Sequence, residues 1–559
     1  MSQPLLASDL QVKQKSSESP RQVITAASEG TSLAVSARRE FGIATALVLV
    51  SVLPALALWN HTTYLTGDSY QYLRAALTFA QGGGLRDMSG SAFTFFTPFY
   101  PLVIGVAHRL TPGANIETTA RLVSLVGATT AVIALYWLLR ARYSLRVAFS
   151  VSLLFALSPL RVWSSSWALS EGLYLGLLML GLAVLFRRAK HIWVATALGG
   201  ILLGLAYLTR PEAMLCFAAT ALLFFFSGAS GRKRTLLVLA GFLLVALPYH
   251  ALVYQVNHAL GSGRLSLLFA QSESFRQGQG PQFVYSHQVD QQGTSIQRTP
   301  DMSLRAVIAR YAFFARWEAE RLIYDLGPHL LVLGLLMVGG IILLTSRVKL
   351  VRSVVLDDMW QFVLPLMLFV LPLLHIEDRY FLQTLPVFLL WLVLILATIH
   401  KFIAARLPQR FSAFAGLVPL AFILVFVLSY AYRLSSQVPQ RDATALARGT
   451  ARWLESQNLS PAPIISQTPD LAFFANASHL WMPGGEAGDV MKYARRSGAR
   501  YIFVSTQDVP TPLNELLLGE GTRIPESVKL LHEESDGPMR GRLFELKSTN
   551  DVVTSNLHL

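Results

Sequence analysis

Long runs of Leu, Val, Ala and Phe, broken by short polar or basic stretches, recur from Phe41 onward, and many reach roughly the twenty residues that cross a hydrocarbon core. The runs are continuous and do not alternate apolar with polar residues over roughly ten positions, so they predict helices and argue against barrel strands. Helices also satisfy their own backbone in lipid. Spans are expected near 41–59, 118–139, 147–160, 172–186, 192–208, 213–229, 236–256, 328–345, 359–374, 381–399 and 412–431, about eleven in all. One apolar stretch is set apart. Phe99 to Leu110, next to Pro98 and containing Pro101, has roughly a dozen residues, too short to cross, and reads as interfacial or re-entrant.

Composition agrees with the pattern: of 559 residues, 53% are hydrophobic and 14% charged, which points to a polytopic α-helical membrane protein. The net charge of +14 does not imply nucleic acid, because the basic residues are dispersed in short loops and not gathered on one soluble surface with interleaved aromatics. Those loops orient the chain. Counting spans places Arg38-Arg39, Arg140-Ala141-Arg142, Arg187-Arg188-Ala189-Lys190, Gly231-Arg232-Lys233-Arg234, Arg347 to Arg352 and Lys401 to Arg410 on one side, the cytoplasmic one. The acids Asp68, Glu117, Glu171, Glu212, Glu377 and Asp378 then collect on the outer face.

Three parts follow from this count. Residues 1–40 are Ser- and Gln-rich and read as a disordered cytoplasmic tail. Residues 41–435 form the transmembrane domain, with outer loops at 60–117 and 257–327; the second turns helical around Arg305, Arg310, Arg316, Glu318 and Arg321. Residues 436–559 return to soluble composition, and strands at Ile464 to Ser466 and Tyr501 to Ser505 around a helix from Glu486 to Gly498 predict a small α/β domain on the outer face. No cleavable signal peptide is expected. The single cysteine, Cys216, offers no intramolecular disulfide.

Candidate chemistry concentrates on that face. The first loop reads Thr66-Gly67-Asp68-Ser69-Tyr70-Gln71-Tyr72, passes Gly82-Gly83-Gly84 and ends in Thr97-Pro98-Phe99-Tyr100-Pro101. Asp68 suits either a helix N-cap before Ser69 or a base facing an acceptor from water. Glu171 starts a span near Trp163 and Trp167, where it either binds acceptor or marks the interface. Arg210, before Pro211 and Glu212, either holds phosphate with its planar fork or pairs locally with Glu212. His375-Ile376-Glu377-Asp378-Arg379-Tyr380 packs more polar groups than a turn between apolar spans needs, although a solvated turn with internal ion pairs is the plainer account. The triple glycine lacks the context of a phosphate-cradling loop and reads as a flexible turn.

The order of these motifs, with Leu169-Ser170-Glu171, Leu208-Thr209-Arg210-Pro211-Glu212 and Asp378-Arg379-Tyr380, resembles GT-C glycosyltransferases over roughly residues 40–435. The nearest likeness is to the bacterial protein-mannosyltransferase-like and lipid A aminoarabinose-transferase-like branch. The resemblance implies transfer of a sugar from a polyprenyl-phosphate donor to a lipid, glycan or protein acceptor at the outer face of a bacterial inner membrane, usually with inversion. It implies Asp68 as the catalytic base, Arg210, Arg379 and Tyr380 on the lipid phosphate, and Tyr70, Tyr72, Glu171, His375, Glu377 and Asp378 lining the acceptor side. Ser69 departs from the family, in which many members carry a second acid there. No cofactor is implied, a divalent cation is compatible, and ligand spacing names no metal site. The rival from another class is a transporter or flippase of lipid-linked sugars, which would show internal repeats or ionisable residues within spans. Neither stands out in this sequence.

Overall fold

The computed structural model describes residues 20–59, 65–187, 190–258, 287–289, 295–297, 303–326, 360–364, 378–404, 428, 444–459, 461–508, 511–519 and 524–547. Its first ten helices are α1 (Pro20–Trp59), α2 (Gly67–Ala80), α3 (Phe99–Leu110), α4 (Ile116–Arg140), α5 (Leu145–Leu157), α6 (Pro159–Ser166), α7 (Glu171–Phe186), α8 (Ile192–Thr209), α9 (Ala213–Phe226) and α10 (Ala229–Asn257). Among the described residues four helices are long and apolar enough to cross a membrane: Arg38–Trp59 within α1, α4, α8 and α10. The α5 and α6 pair, bent by 52°, makes a fifth if it is one broken span. The chain is a membrane protein of helical architecture. The stretches expected to span at 172–186 and 213–229 form helices of only 16 and 14 residues. Those at 328–345 and 412–431, and most of that at 359–374, lie outside the described residues.

Two expectations change. Helix α1 begins at Pro20, so backbone helix covers half of the segment read as a disordered tail; the segment has few helix breakers once Pro20 occupies the favourable first turn. The 147–160 span is two helices, because Pro159 lacks the N–H and clashes with the preceding turn. Arg161, fully buried, bridges the break: its Nη1 donates to Ser51 Oγ at 2.8 Å, and its Nη2 to the carbonyls of Ser51 and Ala156 at 2.9 and 2.6 Å. Freed helix carbonyls in a membrane interior need such partners. The break therefore also holds α6 against α1.

Small residues let the helices approach closely, as packing in lipid favours. A methyl group on Gly172 would stand 2.1 Å from the Ser124 carbonyl oxygen, and one on Gly176 2.5 Å from that of Gly127, so α4 and α7 touch backbone to backbone. Gly200 on α8 meets the Val238 carbonyl of α10 in the same way. The α4–α7 contact fixes the start of α7, where Glu171 stands.

The C-terminal part is α/β as expected. Its strands are β3 (Ile464–Ser466), β4 (His479–Trp481), β5 (Tyr501–Ser505), β6 (Val528–Asp536) and β7 (Met539–Leu546), following a small antiparallel pair β1 (His287–Val289) and β2 (Ser295–Gln297). The sheet order is β4-β3-β5-β7-β6, with β3 parallel to both neighbours and β5, β7 and β6 antiparallel. Buried side chains cover both faces: Ile464, Tyr501, Phe503 and Leu543 on one, Ile465, Ile502, Val504 and Phe544 on the other. A helix at Ala487–Arg496 crosses between β4 and β5, close to the expected bounds. The helix expected in the 257–327 loop is present as Leu304–Leu326.

This domain sits on the first loop. The Tyr70 ring meets Phe473 and Phe474 at 5.6 and 5.9 Å between centroids, and Arg74 donates to Asn476. Met88 is buried within the domain's core cluster, and the His479 N–H donates to its carbonyl at 3.0 Å. Arg448 forks onto both carboxylate oxygens of Glu117 while its guanidinium lies 4.1 Å from the Phe474 ring centroid.

Candidate active site

Asp68 stands in the first turn of α2, and it is not the N-cap. Thr66 takes that position, its Oγ1 accepting from the Ser69 N–H at 3.3 Å while the Ser69 Oγ accepts from the Thr66 N–H at 3.2 Å. A reciprocal capping box satisfies two helix donors without Asp68. The capping reading of Asp68 is thereby corrected; the residue is partly exposed and sits in the favourable field of the helix N-terminus. Ser69, where many relatives have a second acid, is buried in that box. An acid at this position would be driven into a closed interior.

Tyr70 and Tyr72, expected to line the acceptor side, are buried. Tyr70 lies under the C-terminal domain, and Tyr72 packs among Phe93, Phe96 and Tyr100 at 6.4, 5.4 and 5.1 Å. Aromatic alternation in an amphipathic loop signals an interior as readily as a binding surface.

Glu171 and Arg210 are brought together from different helices. Arg210 Nη1 is 2.5 Å from Glu171 Oε1, and its Nη2 is 3.0 Å from Glu212 Oε1. All three residues are nearly enclosed, with exposures of 3%, 6% and 9% for Glu171, Arg210 and Glu212. The local placement follows from sequence: a residue before proline is pushed out of the helical region, so α8 ends at Thr209 and Arg210 is extended with φ −150° and ψ 130°. Of the two roles open for Arg210, the pair with Glu212 exists, and Glu171 joins it.

Tyr174, Leu175, Leu382 and Gln383 complete a cavity with these three side chains. Tyr174 donates its hydroxyl to Gln383 Oε1 at 2.5 Å. Gln383 ends the 3-10 turn Asp378–Gln383, so the backbone that carries Asp378, Arg379 and Tyr380 reaches the Glu171–Arg210 cavity. His375 and Glu377 lie outside the described residues. Among the described residues no three His, Cys, Asp or Glu side chains converge as a metal-holding set.

Several residues at the site were not singled out from sequence. Ser124 shares a 2.7 Å hydrogen bond with the Tyr100 hydroxyl and lies 2.7 Å from the Leu169 carbonyl, while Thr97, quoted in the first-loop motif but given no role there, donates to the Thr209 carbonyl at 2.7 Å. Arg161 is a charge within a membrane helix, the feature whose absence counted against a transporter. Its signal was present as an arginine two residues after a proline inside an apolar run.

No protein-family model matches this chain, and no curated protein sequence matches it. Solved structures do. AglB, the oligosaccharyltransferase of Archaeoglobus fulgidus in complex with an inhibitory peptide and a dolichol-phosphate, is similar at 13% identity, covering 92% of this chain and 80% of that one with a TM-score of 0.55. ArnT from Cupriavidus metallidurans bound to undecaprenyl phosphate is similar at 14% identity, covering 90% and 98% with a TM-score of 0.52. The Archaeoglobus fulgidus oligosaccharyltransferase complex with Zn and sulfate matches at 16% identity over 82% and 67%, also at 0.52. At these identities the likeness is one of fold.

Proposed function

We propose that this chain is a membrane glycosyltransferase that moves a sugar from a polyprenyl-phosphate donor to a lipid, glycan or protein acceptor at the outer membrane face, with inversion at the anomeric carbon. The observation that carries the reading is the Glu171–Arg210–Glu212 cluster, buried beside the Asp378–Gln383 turn in a fold shared with structures that hold dolichol-phosphate and undecaprenyl phosphate. Displacement at the anomeric carbon needs a base for the acceptor hydroxyl and cationic donors for the departing phosphate. Asp68 is released from capping and serves as the base. Arg379 and Tyr380 receive the phosphate, and Arg210 joins them by exchanging a carboxylate partner for phosphate oxygens, which its fork fits equally well. Glu171, Asp378, His375 and Glu377 line the acceptor side, and the buried Tyr70 and Tyr72 fix the wall from which Asp68 projects.

The test uses purified full-length protein and a labelled sugar on undecaprenyl phosphate, with outer-surface glycans as acceptors. Asp68→Asn is expected to lower turnover about a hundredfold or more while leaving membrane insertion unchanged. Full turnover in that variant would remove Asp68 from the reaction. The second reading, a flippase of lipid-linked sugars, draws on the broken α5–α6 span and on Arg161 within it, both features of transporters. Movement of the labelled lipid between leaflets without transfer to a new acceptor would select it.

A further inference from the structure

Thr97-Pro98-Phe99-Tyr100-Pro101 takes no part in the chemistry above, yet Thr97 reaches the backbone beside the buried ion pair directly and Tyr100 reaches it through Ser124. Thr97 Oγ1 donates to the Thr209 carbonyl at 2.7 Å in a buried bond. Thr209 is the last residue of α8, and Arg210 follows it. Its carbonyl is orphaned because the chain leaves the helix there, so Thr97 both satisfies an acceptor and pins the residue that precedes Arg210. Tyr100, fully buried, makes the second link. Its hydroxyl shares a 2.7 Å hydrogen bond with that of Ser124, and Ser124 Oγ lies 2.7 Å from the Leu169 carbonyl, so Tyr100 reaches that carbonyl through Ser124. Leu169 stands two residues before Glu171.

The same segment is packed onto α2. Tyr72 touches Phe96 and Tyr100 ring to ring, and a methyl group on Gly105 of α3 would meet the Ala76 carbonyl at 2.9 Å, so α2 and α3 are closely packed. A continuous set of contacts thus runs from the helix bearing Asp68 to the carbonyls just before Glu171 and Arg210. We propose that Thr97 and Tyr100 are positioning residues that hold the Asp68 helix in register with the Glu171–Arg210 pair. This rests on the proposed glycosyl transfer for its chemical meaning, since Asp68 and the pair are the groups being aligned.

Thr97→Val and Tyr100→Phe remove one donor each at nearly constant shape. With labelled sugar on undecaprenyl phosphate, each is expected to lower kcat about tenfold or more while KM for the donor stays within about twofold, because misalignment costs rate more than binding. Thr97→Ser restores the hydroxyl and is expected to restore kcat. Hydrogen exchange on the full chain gives an independent readout: amides at 67–80 and 206–214 exchange faster in Thr97→Val, those at 67–80 and 167–173 in Tyr100→Phe, and none in Asp68→Asn. Unchanged exchange in both variants overturns the positioning role whatever the activity. Faster exchange with wild-type kcat overturns it too. If wild-type protein transfers no sugar but the exchange pattern appears, the mechanical link stands and the glycosyltransferase reading falls.

Discussion

Two pairs of buried acids sit in this molecule under opposite electrostatic conditions. Glu171 and Glu212 in the helical domain share the guanidinium of Arg210. Asp470 and Asp508, beyond the ends of β3 and β5, are held by neutral donors: Thr468 and the Leu471 N–H on Asp470, and the Ser505 N–H and Asn514 on Asp508. Burial pushes the Asp470 carboxyl up to about 6 and that of Asp508 up to about 7, with Asp470 adding repulsion to Asp508. A cation turns a buried acid pair into fixed charge, whereas hydrogen bonds alone leave it ready to protonate.

Arg210→Met breaks this comparison most severely, since two enclosed carboxylates lose the guanidinium they share. A cost of about 3–5 kcal/mol is expected, as for removing one partner of a buried ion pair, seen as a lower unfolding temperature in detergent. Adding Glu171→Gln should return part of it. A double variant no more stable than Arg210→Met would show that the pair is not energetically coupled.

The pH dependence of the C-terminal domain gives the next effect. The folded pKa of both aspartates is raised, so their contribution is complete below about pH 4 and is lost as pH rises through about 6 and 7. His479 runs the other way: burial lowers its pKa to about 4, so its contribution is present above pH 6.5 and is lost as pH falls toward 4. Asp508→Asn stays neutral throughout and should stabilise the domain at pH 8, by on the order of 1–3 kcal/mol, and by less at pH 5, the gain vanishing below about pH 4. Hydrogen exchange at Tyr501–Ser505 against pH measures this. A variant equally destabilised at both pH values would mean that the carboxylate is needed charged.

The smallest expected effect calibrates the other two. Glu117 and Arg448 form an ion pair between α4 and the domain with side chains 14% and 32% exposed. Arg448→Met should cost less than about 1 kcal/mol in domain docking. A loss as large as that of Arg210→Met would show that charge, and not burial, sets the difference between the regions.

The site was legible in part. Glu171, Arg210 and Glu212 stood out as polar residues at span ends, and counting spans put them on one face, but which carboxylate the guanidinium would take depends on the α4–α7 and α8–α10 contacts. Asp68 was ambiguous because Thr66 and Asp68 are both good caps two residues apart, and local propensity does not rank them. The burial of Tyr70 was not legible, because the domain that covers it lies about four hundred residues downstream. The bent span was visible in Pro159, whereas its stabilisation by Arg161 through Ser51 was not.

By itself the sequence determined the environment and most elements: apolar runs of membrane length demand helices, and short β-rich runs within a tail of soluble composition mark strands, since each follows from local pattern and the cost of bare backbone in lipid. Tertiary structure decided which charges meet. Glu171 and Arg210 are 39 residues apart and Glu117 and Arg448 are 331 apart, and such pairings are set by close packing of glycine-lined helices and by domain docking, which no local pattern encodes.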